Sequence, residues 1–333
     1  AIEGREIYRH WGDIVGGTCG FVETGGLYIV PPEDAAKLRR NNEMLRGLGL
    51  NTLALSPAEL RVLQPMMVTD DVGAAAYEPE SGYVDPMLAV SGLLEAAGAK
   101  GAEFLLNRTS PRLLMEGGRV TGIESGDERV LAQTTVLTAG MGSRATAQEI
   151  GLDLPLYPFP LGAGSLRRPP GMAGPMAVID RCIGGWYRAD REDMVVECGF
   201  EDLDFTRPET HEHYAAGVVP PTREEFIAAL SRLSRRIPGV IEGMPGRTWS
   251  GLDSCTPDGH ALVGPSGVEG LWLMTGANGV GIRMSPPYAR AMIGALTGGG
   301  FAGSDVGMLG LERFATGEVL GRDEGAYGVG SFS

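Results

Sequence analysis

The chain has 333 residues, with 42 Asp and Glu against 28 Lys and Arg, giving a formal net charge of −14. That balance argues against a nucleic-acid binder, because gripping a phosphate backbone draws on a surplus of cations. Its 43% hydrophobic content can fill a substantial core, and the length fits two domains or one chain crossing between two lobes. No run reaches the roughly 18 apolar residues of a membrane span. The most apolar stretch, 271–296, is broken by Asn278, Arg283 and Arg290. The opening AIEGREIYRHW is charged and helical, without the apolar segment of a secretory signal. Four scattered cysteines (Cys19, Cys182, Cys198, Cys255), no CxxC and only four histidines argue against a zinc site or a disulfide framework. They predict free thiols and a cytoplasmic protein.

The first helix starts at about Ile2. A second spans 32–49, with Ala35, Leu38, Leu45 and Leu48 as its apolar stripe. Ser56-Pro57-Ala58-Glu59 is a capping box with proline at the first helical position. Asp85-Pro86 opens another helix, with Met87, Val90, Leu93, Leu94 and Ala97 on one face and an end near Gly98 or Gly101. Short strands follow at 103–106, 112–115, 119–123 after a Gly117-Gly118 turn, and 135–140. That succession is mixed α/β order. The stretch 155–246 differs: strands at 175–180 and 194–199, proline-rich joints and one helix at 222–237 predict a lobe built on an antiparallel sheet. A buried strand at 270–276 then runs into a glycine-rich turn and a helix at 286–297. The 52 glycines, about twice the usual share, mark element ends rather than a repeat.

Two strand-to-glycine junctions could cradle a cofactor: Val136-Leu137-Thr138-Ala139-Gly140-Met141-Gly142-Ser143, and Met274-Thr275-Gly276-Ala277-Asn278-Gly279-Val280-Gly281-Ile282-Arg283. Glycines at the carboxyl end of a strand let a ligand approach the backbone, and the next helix offers free N–H groups to an anion. Either junction alone is equally a plain turn. No GxGxxG follows an early strand, no acidic residue stands some 20 positions beyond one, and Gly276-x-x-Gly279-x-Gly281 comes too late to be that motif. There is no GxSxG and no HExxH. His211-Glu212-His213 reads as a solvated loop rather than a metal site.

Taken in order, Gly82-Tyr83-Val84-Asp85-Pro86, the 136–143 junction, the stretch from Arg247 to Gly259 with its Thr256-Pro257-Asp258, and GLWLMTGANGVGIRMSPP at 270–287 resemble the FAD-dependent amino-acid oxidoreductases. These form the D-amino-acid oxidase superfamily, and the sarcosine oxidase or dehydrogenase and glycine oxidase branches are the most similar. The resemblance runs from Cys19-Gly20-Phe21 to Arg313-Phe314. It implies a mixed α/β fold with a Rossmann-like FAD-binding lobe, placed at 85–155 and 246–333, and an antiparallel substrate lobe, placed at 10–84 and 156–245. It also implies oxidation of the C–N bond of a small amino acid or N-methyl amino acid, with hydride passing to FAD and the imine then hydrolysed. The flavin carries the hard chemistry, while the protein supplies positioning and electrostatics.

Carried over residue by residue, the resemblance puts Ala139 and Gly140 along the FAD dinucleotide. Gly276, Asn278, Gly279, Val280, Gly281 and Ile282 fall in the turn under the isoalloxazine, where the next helix dipole would stabilise negative charge on the ring. Arg283 matches the residue that grips the substrate carboxylate, through paired hydrogen bonds if so. Tyr187 and Arg188, on the strand 186–189, are further catalytic candidates. Gly251 stands where some relatives carry a flavin-linked cysteine, so FAD is expected to be non-covalent.

The family's opening strand, GxGxxG, helix and ribose-binding acid have no counterpart in this chain. The expectation is a flavin lobe incomplete at its N-terminus, with unpaired strand edges. A partner polypeptide or an additional N-terminal segment would then complete it. The alternative is a truncated, flavin-free homologue acting as a small-molecule binding or structural subunit.

Overall fold

The computed structural model describes residues 2–108, 111–198, 217–300 and 305–320; His211-Glu212-His213 lies outside the described residues. In chain order the elements are α1 (Ile2–Arg9), α2 (Trp11–Ile14), β1 (Gly26–Val30), α3 (Ala35–Gly47), β2 (Leu53–Leu55), α4 (Pro57–Leu63), β3 (Ala74–Glu78) and α5 (Pro86–Ala99). Next come β4 (Arg112–Glu116), β5 (Arg119–Ser125), β6 (Glu128–Leu131), β7 (Thr135–Leu137), α6 (Gly142–Gln148), β8 (Tyr157–Arg167), β9 (Ala177–Asp180), β10 (Trp186–Asp190) and β11 (Asp193–Glu197). The last are α7 (Arg223–Ser234), β12 (Met244–Cys255), β13 (Leu262–Pro265), β14 (Leu271–Thr275), α8 (Gly281–Leu296) and α9 (Glu312–Thr316).

The helices capped by Ser56, Asp85 and Thr222 start where the sequence puts them. Ser56 Oγ accepts from the Glu59 N–H while Glu59 reaches back to the Ser56 N–H, and Asp85 accepts from the Met87 and Leu88 N–H groups. Thr222 and Glu225 form the same reciprocal box at α7. Each such cap satisfies donors that the first helical turn leaves orphaned.

An eight-stranded sheet in the order β12-β8-β11-β10-β9-β1-β3-β2 forms one lobe, antiparallel except for the parallel β1–β9 pair. One face carries Leu27, Ile29, Ala75, Val178, Tyr187, Met194 and Val196 into a core closed by Phe226, Leu230 and Leu233 of α7 and Leu60 of α4. Inside this core Arg236 and Asp180 are both fully buried and joined at 2.7 Å, with Asp71 on the far side of the guanidinium. The second lobe contains the three-stranded sheet β13-β14-β7, in which β14 and β7 run parallel, and the meander β4-β5-β6. Its core gathers Leu113, Val120, Leu137, Leu154, Leu156, Leu262, Leu271 and Leu273.

Three expectations are corrected. β12 was expected to begin the flavin lobe at 246, but it pairs with β8 nearly end to end, so the chain crosses over only after Cys255. The stretch 103–106 forms no strand. Phe104, Leu105 and Leu106 are exposed, and a strand needs a neighbouring backbone to satisfy its ladder, which no described segment provides. The helix expected at 286–297 begins at Gly281, so Pro286 and Pro287 lie inside it. The apolar stripe of α5 is itself unusual. Met87, Val90, Leu93 and Leu94 are exposed, while the small residues Ala89 and Gly92 meet the core around Trp11.

Candidate functional site

Strand alternation determines what stands on the face of the large sheet opposite α7, part of which is covered by α3 through Ala35 and Leu38. Tyr77, Leu27, Val178 and Tyr187 lie in register across four strands on the α7 side. Their neighbours Glu78, Gly26, Ala177 and Arg188 therefore share the other side. Gly26 is covered by Ser81, whose Cβ would stand 3.0 Å from an added Cβ there.

Arg188 stacks 4.1 Å over the ring of Tyr83 and lies 3.5 Å from Asp190. Tyr187, the other candidate on this strand, is corrected. It points into the α7 core, where its hydroxyl lies 3.4 Å from Asp180, and burial holds its pKa well above the usual value. A side chain locked in that core cannot touch a ligand on the other face.

The turn that joins β14 to α8 forms the other part of the site. Gly276 has φ +68°, and a Cβ there would crowd Leu156 and Thr256 at 2.9 Å. Asn278, at φ +51°, uses its side chain to hold the turn: Oδ1 accepts from the Thr256 N–H at 3.0 Å, and Nδ2 donates to Thr256 Oγ1 and to the Gly276 carbonyl. Thr256 also donates to the His260 carbonyl, and Asp258 is paired with buried Arg313 at 2.7 Å. The Thr256-Pro257-Asp258 motif is thus the brace of this turn, and Arg313 pulls the Asp258 carboxyl below its usual range against the opposing effect of burial. Val280 is buried, while Gly279 and Ile282 are exposed.

The first turn of α8 is held from outside by α1. Proline has no N–H, so Pro286 and Pro287 cannot donate to the carbonyls of Ile282 and Arg283. Tyr8 Oη donates to the Ile282 carbonyl at 2.6 Å. Gly4 packs so close to the Arg283 carbonyl that a Cβ would stand 1.9 Å from its oxygen. The N-terminus of α8 has no side-chain cap, which leaves its first N–H groups facing outward.

Arg283 leaves this turn with no hydrogen bond or ion pair among the described residues. Burial by surrounding protein pushes its guanidinium pKa down, opposed by the charges of Glu78 and Tyr288, although part of the side chain remains open to solvent.

The residues present fit a flavin dinucleotide. Gly140, at φ +54°, and Gly251 both face open space, with no atom within 4 Å of where a Cβ would stand. Ala139 is exposed, and the Ser143 hydroxyl beside it is buried without a partner. Gly251 carries no thiol, and Cys255 is buried. No described helix is long and apolar enough to cross a membrane, and no described cluster could hold a metal ion.

Bare strand-end glycines and an uncapped helix are what a dinucleotide-binding fold presents to its cofactor. The chain belongs to the FAD dependent oxidoreductase family, which it matches over residues 1–294. It is 29% identical over 280 residues to a D-amino acid dehydrogenase of Paramagnetospirillum magneticum, covering 83% of this chain and 63% of that one. It is 25% identical over 287 residues to the mitochondrial sarcosine dehydrogenase of Homo sapiens, covering 84% and 31%. The fold is that of the L-proline dehydrogenase of P. horikoshii, with a TM-score of 0.82 and 20% identity over 96% of this chain and 83% of that one. The chain therefore spans less than two thirds of the length of these first two relatives.

Sequence reasoning missed Tyr8, Glu78 and Tyr83 at this site. Tyr8 had a readable signal: two prolines within a helix leave carbonyls that need donors from elsewhere. Glu78 is placed by sheet register, and Tyr83, outside the named strands, by its bridge to Val22.

Proposed function

We propose that this protein oxidises the C–N bond of a small amino acid or N-methyl amino acid with non-covalently bound FAD. Arg283 carries the reading: an unpaired guanidinium at the uncapped start of α8 suits a carboxylate. Bound there, FAD supplies the hydride acceptor.

The chain's own groups do the rest. Arg283 holds the substrate carboxylate and so orients the α-carbon. The free N–H groups of α8 stabilise negative charge arriving beside them. Arg188, held over Tyr83 on the large sheet, is a second cation for the substrate. Ala139 and Gly140 lie along the dinucleotide. The segments 85–155 and after Cys255 serve the flavin, and the large sheet serves the substrate.

The flavin lobe is completed by a strand-helix-strand segment, carried on this or a partner chain. The support is the open outer edge of β7 together with exposed Val90, Leu93 and Leu94 of α5 and Phe104 to Leu106. We place the protein in the cytoplasm, where cysteines outside disulfides persist as thiols.

The test is a visible absorption spectrum of the purified protein followed by anaerobic addition of sarcosine, glycine and D-alanine. A two-banded flavin spectrum bleached by one of them is the expected result. A colourless protein that binds amino acids without reducing dye would favour a flavin-free binding subunit. Arg283→Ala is expected to raise KM at least tenfold, and an unchanged KM overturns its role.

A further inference from the structure

Helix α1 makes two separate sets of contacts. Gly4 and Tyr8, one turn apart, face α8: Gly4 lies against the Arg283 carbonyl, and Tyr8 Oη donates to the Ile282 carbonyl at 2.6 Å. Arg5 and Arg9, also one turn apart, reach a different part of the chain. Arg5 Nη1 lies 3.0 Å from Glu80 Oε2, and Arg9 Nη1 lies 3.9 Å from the same oxygen. Arg9 Nε also lies 3.1 Å from Glu23, and Arg5 holds Glu6 of its own helix at 2.9 Å. The other oxygen of Glu80 accepts from Asn51 at 3.4 Å.

Glu80 belongs to the loop that joins β3 to α5, and that loop carries groups of the site. Two residues before it, Glu78 accepts from the Ser81 hydroxyl at 2.7 Å, and its charge acts on Arg283. Three residues after it, Tyr83 lies under the Arg188 guanidinium. The loop backbone is fixed to the segment before β1. The Gly25 N–H donates to the Ser81 carbonyl at 2.8 Å, and Val22 and Tyr83 exchange N–H···O bonds at 2.9 and 3.1 Å. Helix α1 therefore stands between this loop and the turn that presents Arg283.

With 8 residues, α1 is too short to hold its shape alone, since isolated helices below roughly 12–15 residues are marginal in water. Apolar packing of Tyr8 and Trp11 with Cys19 and Ala89 gives it a seat, but such contact has no direction along the helix axis. Ion pairs do. The pair of Glu3 with Arg290 is exposed and contributes little. Arg5 differs: its side chain is 18% exposed and its Nη1, facing Glu80, is shielded from solvent. Removing the carboxylate would leave that shielded end of the cation uncompensated. Resting on the reading of Arg283 given above, we propose that Glu80 is a positioning residue. Gripped by Arg5 and Arg9, it locks the loop of Glu78 and Tyr83 to α1, and through Tyr8 to the turn that presents Arg283. It acts through α1 and not by contact with substrate.

The experiment compares wild type with Glu80→Gln, which keeps the size of the side chain and an acceptor for Asn51, and with Arg5→Lys, which keeps the cation. Steady-state kinetics on the flavin-loaded proteins use D-alanine, sarcosine and L-proline, and amide hydrogen exchange is followed on the same samples. Glu80→Gln is expected to raise KM at least threefold with kcat within twofold, and Arg5→Lys to stay within twofold of wild type in both. Exchange in Glu80→Gln should quicken at least threefold at two places. One is the Tyr83 amide bonded to Val22, and the other is the Met284 amide bonded to Val280 in the first turn of α8. The amides of β8 and β11 should exchange as in wild type. Faster exchange at Tyr83 without Met284 overturns the proposal, because the loop would then be held without reference to α8. Faster exchange throughout, β8 and β11 included, overturns it as a plain loss of stability, and so does an unchanged KM. If wild type turns over none of the three amines, the oxidation reading fails on its own, and hydrogen exchange decides the role of Glu80. Joint quickening confined to Tyr83 and Met284 then supports the lock, and an unchanged Met284 overturns it.

Discussion

Tyr8 and Ile282 are 274 residues apart in the chain and joined by a 2.6 Å hydrogen bond from the phenol to a helix carbonyl. That carbonyl is free because Pro286, four residues on, has nothing to donate. The first helix of the chain therefore sets the first turn of α8, the turn that carries Arg283. Tyr8→Phe leaves the carbonyl with only the weak 3.4 Å contact of Ser285. Losing such a hydrogen bond costs about 0.5–1.5 kcal/mol. The expected result in steady-state kinetics is a KM raised several-fold for carboxylate substrates, with kcat within about twofold because no hydride-transfer contact is lost. A KM equal to wild type would disconnect α1 from the site.

Gly251 offers a substitution that only a ligand should notice. No atom lies within 4 Å of its absent Cβ, and its φ is not in the left-handed region. Gly251→Val should change stability by no more than about 0.5 kcal/mol, as an exposed strand substitution does. If this face of β12 lies over the flavin, the same change should lower the fraction of protein purified with flavin or raise KM. Full flavin occupancy with normal kinetics would move the cofactor away from β12.

The fully buried Arg236–Asp180 pair makes a stability prediction. Arg236 Nε lies 2.7 Å from Asp180 Oδ2, and Nη1 is 2.7 Å from Asp71 Oδ1. Arg236→Met strands the Asp180 charge in an apolar core, which costs about 3–5 kcal/mol. Denaturant titration should show the loss as an earlier midpoint, and a midpoint within error of wild type would show that Asp180 finds another partner.

Glu197 gives the pH dependence its sign. Burial pushes its carboxyl up to about 7 against an ordinary 4.5, with the Trp186 N–H and the Arg232 charge opposing. The folded protein then holds a proton that the unfolded chain releases, so this group's contribution is complete below pH 4.5 and is lost as pH rises toward and through 7. The full effect is about 3 kcal/mol. Glu197→Gln, which stays neutral and keeps an acceptor for Trp186, should flatten the fall in stability between pH 5 and pH 8. An unchanged slope would assign that titration to another group.

Local chemistry made much of this protein legible in its sequence. Ser56, Asp85 and Thr222 cap the helices where their side chains can reach orphaned N–H groups, a decision made within three residues. The two glycine junctions were visible for a similar reason: backbone freedom at strand ends is a property of the residue itself. Motif order supplied the family. The strand at 103–106 was misread because its pattern is local while its partner is not, and the helix at 281–296 was misplaced because the donors that tolerate its prolines belong to α1.

Sequence by itself determined the class of fold, the helix caps and the glycine turns. Only the tertiary structure decided which face of a strand meets the site. Tyr187 and Arg188 are neighbours in sequence, yet one is sealed in the α7 core and the other stands over Tyr83, because successive strand residues point to opposite faces and the packing of α7 chooses between them. Local propensity has no knowledge of which side of a sheet a distant helix will cover, and that choice assembles the site.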